Sequence, residues 1–154
     1  MNSSQAFAIS AAGMQVERTR VETAALNLAN ANTVQAPGKP AYQPLRVVAT
    51  TAAGQTPQST FAGMVATGLD DAAAAMPSLP LAQVLPTDAR PRMAYEPGHP
   101  LANAQGWVTY SGVDTATEMM TLMSASRAYE ANVAAMNTSK NLALKALEIG
   151  GPNA

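Results

Sequence analysis

The chain has 154 residues, enough for one ordinary domain, and its 9 Lys+Arg against 10 Asp+Glu leave a formal net charge of -1. That balance provides no basic stripe for a nucleic-acid backbone, and charged residues, at 12%, stand at about half the usual share. Cysteine is absent, which excludes disulfides, zinc–thiolate sites and thiol nucleophiles.

So sparsely charged a surface implies that other protein covers much of it. The N-terminal stretch Met1 to Ser10 carries neither a basic region nor an apolar core of the secretory kind. Any export is therefore expected to use a route without a cleavable signal peptide. Nowhere do the ~18 apolar residues of a membrane span run together. Proline sets the organisation, because in a helix interior it costs ~3 kcal/mol. Ten of the eleven prolines lie between Pro37 and Pro100, and the other is Pro152. Long helices therefore have two places to form, residues 2–32 and 115–149.

The first helix is expected to open at Ser3 or Ser4, both good N-caps. Phe7, Ala11, Met14, Val21, Ala25 and Leu28 then share one face, with Arg18 interrupting. Phe7, Met14, Val21 and Leu28 fall at the spacing of a coiled-coil seam. The pattern stops at Asn30-Ala31-Asn32, where asparagine tolerates a left-handed C-terminal turn.

Residues 33–114 read as a small β-rich, Pro-rich module. Strand candidates are Ala41–Thr51, Thr60–Leu69, Leu79–Leu85 and Gly106–Tyr110, each bounded by Pro or Gly. The alanine-rich run Asp70 to Met76 fits a helical turn or a loop equally.

The last helix begins with a capping-box pattern, Thr115-Ala116-Thr117-Glu118. Met119, Leu122, Ser126, Tyr129, Val133, Met136, Lys140, Ala143 and Leu147 follow at alternating spacings of three and four. Lys140 has a stem long enough to carry its ammonium off this seam. Gly150-Gly151-Pro152 is a standard stop. At ~1.5 Å per residue such a helix reaches ~50 Å. No domain of this size wraps it, so it needs a partner helix, and the N-terminal one is nearest. The expected fold is α+β: long N- and C-terminal helices paired as an antiparallel coiled-coil-like core (1–32 with 115–150), and an irregular β-rich middle (33–114).

Chemistry is sparse. His99, the lone histidine, sits in Tyr95-Glu96-Pro97-Gly98-His99-Pro100, where a turn held by two prolines outweighs a Glu96–His99 base or metal ligand. Asp70-Asp71 reads as a solvated loop rather than a dyad. Phosphate-loop and nucleophile-elbow patterns are missing. No catalytic, cofactor-binding or metal site is expected, and no cofactor.

Two other residue types need a reason. Met119, Met120 and Met123 cover more than one helical face, which favours burial by more than one neighbour. Asn27, Asn30, Asn132, Asn137 and Asn141 each cost several tenths of a kcal/mol within a helix. They are either simply exposed or fix register across the helix pair.

These residues also carry a resemblance. Leu26-Asn27-Leu28-Ala29-Asn30-Ala31-Asn32-Thr33 resembles the N-terminal signature of bacterial flagellar axial proteins, the rod, hook and related subunits. Met123-Ser124-Ala125-Ser126-Arg127-Ala128-Tyr129-Glu130-Ala131-Asn132-Val133 resembles their C-terminal helix. Its continuation, Met136 to Leu147, is most similar to the proximal members of the basal-body rod protein family. Tyr95 to Ala102 and Gly106-Trp107-Val108 resemble the segment leading into that helix. The family commonly has Arg directly after the tyrosine at the position of Tyr42, where this chain has Gln43-Pro44. It tends to Pro-Asn-Val-Asp where this chain has Ser111-Gly112-Val113-Asp114.

The resemblance implies a rod subunit exported unfolded through the flagellar type III apparatus and assembled in the periplasm with its own copies and other rod proteins. The helix pair would line the inner tube, with the middle module outside. Interface residues on this reading are Phe7, Met14, Val21, Asn27, Leu28, Asn30, Met119, Leu122, Met123, Tyr129, Asn132, Val133, Met136 and Leu147. Ordering a residue's backbone costs ~1–2 kcal/mol, while an apolar seam side chain returns ~1.5–3 kcal/mol. The ends are therefore expected to fray in the dilute monomer, which circular dichroism checks. A coiled-coil adaptor or chaperone of a secretion apparatus, with finite stoichiometry, is the rival binding function. A wall-active enzyme using Glu96 and His99 is the rival catalytic one.

Overall fold

A computed structural model describes residues 3–36, 38–51 and 79–149. Two helices dominate it, α1 (Ser3–Ala29) and α2 (Thr115–Ile149). Both fill the proline-free stretches. They run antiparallel: Asn27 near the end of α1 meets Glu118 in the first turn of α2, and Gly13 meets Asn132. The α+β expectation holds in this respect. The strand candidate Thr60–Leu69, the run Asp70–Met76 and the stop at Gly150-Gly151-Pro152 lie outside the described residues.

Four strands form two separate antiparallel ribbons, β1 (Leu45–Thr51) with β2 (Pro80–Pro86) and β3 (Arg92–Tyr95) with β4 (Trp107–Tyr110). The first ribbon pairs Leu45 with Pro86 and Thr51 with Pro80, and it packs on α1. Strand side chains alternate between faces. Leu45, Val47, Pro80 and Ala82 are half-buried accordingly, while Arg46, Val48, Leu81 and Gln83 are exposed. β3 was not expected. It is four residues long, follows Pro91 and begins with an arginine, so it gives little alternating signal; its pairing with β4 makes it a strand.

The second ribbon buries Val108 completely. On its outer face the Tyr95 and Trp107 rings meet edge to face with centroids 5.4 Å apart. On the other, the Arg92 guanidinium lies 4.9 Å from the Tyr110 ring centroid. Gly106, at φ +79°, closes the loop between the strands, and a Cβ there would fall 2.9 Å from Tyr95 Cε2. Glycine meets both demands. The segment leaving α1 ties this ribbon to the helices: Gln35 N–H donates to Thr109 O (2.8 Å) and Ser111 N–H to Thr33 O (3.2 Å).

The helix seam differs from the heptad expectation. Phe7, Met14, Val21 and Leu28 are only half-buried, and Ala11 and Ala25 are exposed. The buried α1 residues are Val16, Thr23, Ala24 and Asn27. On α2, Leu122, Ala125, Ala128, Asn132, Met136, Ser139 and Ala143 turn inward, whereas Met119, Tyr129, Val133, Lys140 and Leu147 are exposed. The reason is close approach. A Cβ on Gly13 would lie 3.0 Å from Asn132 Nδ2, so small and polar residues occupy the line of contact and larger side chains flank it.

The helix ends differ as well. No described non-glycine residue has positive φ, so Asn30 and Asn32 do not supply a left-handed cap. Instead α1 tightens, with Asn30 N–H reaching both Leu26 O and Asn27 O, and Ala31 N–H reaching Leu28 O. The Ser111 hydroxyl lies 2.8 Å from the Asn30 and Ala31 carbonyls and serves both as a shared donor. The capping box on α2 is not formed. Asp114, one residue earlier, accepts from Ala116 N–H (3.1 Å) and the Thr117 hydroxyl (2.6 Å), which leaves Glu118 free to turn towards α1.

Candidate functional site

Asn27 is the joint of the molecule. Its side chain is 1% exposed and makes four hydrogen bonds. Nδ2 donates to Leu45 O (2.8 Å) and Glu118 Oε1 (3.0 Å). Oδ1 accepts from the Tyr42 hydroxyl (2.9 Å) and Leu45 N–H (2.9 Å). One amide therefore joins the last turn of α1, the first turn of α2 and the start of β1. A buried amide with every donor and acceptor matched costs little, whereas a half-matched one is expensive. This is the across-pair bond that one reading of the asparagines anticipated. Asn30 behaves otherwise: its Nδ2 donates to Leu26 O within its own helix, and its Oδ1 accepts from Thr33.

The titratable groups around the joint follow from this geometry. Burial is the main cause that pushes the Glu118 carboxyl above its ordinary 4.5; the Asn27 bond opposes it and the Asp114 charge adds to it. Burial, then the Glu118 charge, raises the Tyr42 hydroxyl, which stays a donor. Asp114 goes the other way, held below 3.8 chiefly by the Thr117 hydroxyl and then by Ala116 N–H. The two carboxylates therefore act oppositely. The Asp114 contribution is present above 3.8 and is lost as pH falls through its lower folded value. The Glu118 contribution is present below 4.5 and is lost as pH rises through its higher folded value. Glu118→Gln, which keeps an acceptor for Asn27, is expected to raise the urea midpoint at neutral pH and to leave it nearly unchanged below 4.5. A lower midpoint at neutral pH would show that the charge itself is needed.

The expected interface residues divide into two groups. Phe7, Met14, Val21, Leu28, Asn30, Leu122, Asn132 and Met136 are half-buried and Asn27 is buried, all engaged within the helix pair or its flanks. Met119 (57% exposed), Met123 (54%) and Leu147 (72%) are exposed, whereas Tyr129 and Val133 are less so and Tyr129 lines a groove with Arg18, Val21 and Glu22 of α1. Met120, at 68%, extends the exposed set. Gly13, Tyr42, Ser111 and Gly112 were not singled out as site residues. A glycine within a helix pattern was the available signal for Gly13, and the departure from Pro-Asn-Val-Asp was the signal for Ser111 and Gly112.

His99 sits in the turn after β3, where its Nδ1 accepts from Leu101 N–H (3.1 Å) and its carbonyl from Ala102 N–H. Glu96 accepts from the Tyr110 hydroxyl at 3.0 Å. The two side chains thus have structural partners, as the turn reading expects. Among the described residues no cluster of three or more His, Asp or Glu is placed to hold a metal ion, and no helix is long and apolar enough to cross a membrane.

Comparison with known proteins agrees with this architecture. Residues 104–149, which hold β4 and α2, match the family model described as flagellar basal body rod FlgEFG protein C-terminal. The chain is 37% identical over 144 residues to the flagellar basal-body rod protein FlgC of Escherichia coli, covering 94% of this chain and 95% of that one. It is 36% identical to the FlgC protein of Salmonella typhimurium over the same shares, and 32% identical to that of Bacillus subtilis over 92% and 94%. The names of these relatives are those of structural rod proteins, consistent with a role that is not enzymatic. Identity of 32–37% over more than nine-tenths of the chain, on a paired-helix core, places the chain in the FlgC family of flagellar basal-body rod proteins.

Proposed function

We propose that the chain is a structural subunit of the flagellar basal-body rod, polymerising through its terminal helices into a helical tube that carries torque from motor to hook. The observation that carries this is the distribution of apolar surface. The buried apolar core of the described residues is Val16, Ala24, Ala31, Val108 and Ala125, small side chains all. Leu26, Met119, Met120, Met123, Val133, Leu142, Leu144, Leu147 and Ile149 lie exposed along the two helices. A monomer seldom leaves so many large apolar side chains of its helices in water. Contacts that do not close on themselves would cover them and give a filament rather than a dimer.

Family membership supports the rest of the reading. The chain would leave the cell interior through the flagellar type III apparatus and take its place in the periplasmic rod beside its own copies and other rod proteins. A core this small suits a subunit that must be unfolded for export and regain stability from its neighbours. Electron imaging of basal bodies from a strain lacking the chain tests the proposal: the rod is expected to be absent, with motility lost. An intact rod would contradict it.

A further inference from the structure

Asn27 does for β1 what a neighbouring strand would do. β1 has β2 on one side and no strand on the other. Thr87 N–H donates to Pro44 O (2.7 Å), one step before the Leu45–Pro86 pair. Bonded and non-bonded positions alternate along an antiparallel pair. Arg46, Val48 and Thr50 therefore turn their backbone groups to β2, while Leu45, Val47 and Ala49 turn theirs outward. At Leu45 the Asn27 amide takes both the outward N–H and the outward C=O, the two-way exchange that a paired strand residue makes. At Val47, two residues on, the same groups have no partner among the described residues.

Val47 lines a groove together with Thr23 and Ala24 of α1 and Thr121 and Ala125 of α2. Its volume, ≈ 740 Å³, suits a short peptide better than a single ion. Thr23 is 7% exposed, and its hydroxyl has no hydrogen-bond partner among the described residues. A buried hydroxyl left unmatched is unfavourable, and a chain lying in the groove would match it. The charges along the groove are sorted. Asp114 and Glu118 lie at the end that Asn27 fills, and Ala116 N–H, the Thr117 hydroxyl and Asn27 already bond them. Arg20 is tied to Glu17 (3.1 Å). Arg46, which also lines the groove, has no ion pair or hydrogen bond among the described residues. The unmatched charge is therefore positive.

We infer that the open edge of β1 at Val47 takes an extended segment of another polypeptide, one that carries an acidic side chain. The incoming residue that pairs with Val47 continues the ladder that Asn27 begins. Its side chain falls on the half-buried face of β1, with that of Val47. An Asp or Glu one position along falls on the opposite face, with Arg46. Main-chain pairing supplies the affinity and the acid supplies the choice. The four strands of the described residues carry no Asp or Glu, so a strand of a second copy does not fit and a different polypeptide does.

This contact does not require polymerisation, so its failure leaves the rod reading in place. The test titrates the isotope-labelled full-length chain with the peptide acetyl-Thr-Val-Asp-Val-Thr-amide and follows backbone amide resonances. The Val47 resonance is expected to shift and saturate, and to move more than those of Arg46 and Val48, whose N–H groups already face β2. Replacing the Asp of the peptide by Lys should weaken binding by about tenfold or more, the worth of a hydrogen bond to a charged group. Arg46→Glu, at an exposed and unpaired position, should reverse that preference, with Trp107 emission checking that the fold is kept. N-methylation of the peptide backbone should abolish binding. A Val47 resonance unmoved at millimolar peptide, equal binding of the Asp and Lys peptides, or binding that survives N-methylation would each overturn the inference.

Discussion

Asn27→Leu is expected to lower the stability of the subunit by about 3 kcal/mol, a large share of the whole for a domain of this size. The side-chain volume is nearly kept, so the loss is in polar matching rather than packing. Leu45 N–H and O, the Tyr42 hydroxyl and Glu118 all lose the same partner at once. Glu118 suffers most, because burial already disfavours its charge and Asn27 supplied the bond that opposed this. Urea unfolding followed by Trp107 fluorescence measures the effect. Combining Asn27→Leu with Glu118→Gln should recover part of the loss, since the two side chains are in direct contact and their effects do not add. A near-neutral Asn27→Leu, or strict additivity, would show that the joint is not coupled in this way.

Gly112→Ala is the second large effect, at about 2–3 kcal/mol. A Cβ on Gly112 would meet Arg90 O at 2.6 Å and Ala89 C at 3.2 Å. Both are backbone atoms, so relief requires moving a chain segment rather than a rotamer. Gly112 also stands between Ser111, which satisfies the Asn30 and Ala31 carbonyls in the turn after α1, and Asp114, which caps α2. A shift there disturbs both helix ends together. The urea midpoint should fall with an unchanged slope, the mark of a stability change without a change in compactness. An alanine variant as stable as the parent would mean that the 89–90 segment yields easily.

Much of this architecture was legible in the residues. Proline is so costly inside a helix that its distribution alone placed α1 and α2. Other features depend on contacts distant in sequence. The partners of Asn27 lie 15, 18 and 91 positions away, so its presence in a helix raised a question that only the fold could answer. The seam was misplaced because heptad counting rewards large apolar side chains, while this pair approaches closely at Gly13 and Asn132. Glu118 matched a local capping pattern, yet the nearer carboxylate of Asp114 takes that role. β3 escaped notice because four residues after a proline carry almost no periodicity. Met119 and Met123 were expected to meet more than one neighbour, and their exposure on the single chain is what the assembly reading uses.

The outward face of α2 is therefore the place to test the account. Met123→Glu with Val133→Glu puts two charges on exposed side chains of α2. The urea midpoint of the isolated subunit should hardly move, because exposed helix positions tolerate glutamate. Basal bodies imaged from cells carrying this variant as their sole copy should lack a completed rod, and the cells should not swim. Normal rods and normal swimming with both glutamates in place would contradict assembly through this helix face.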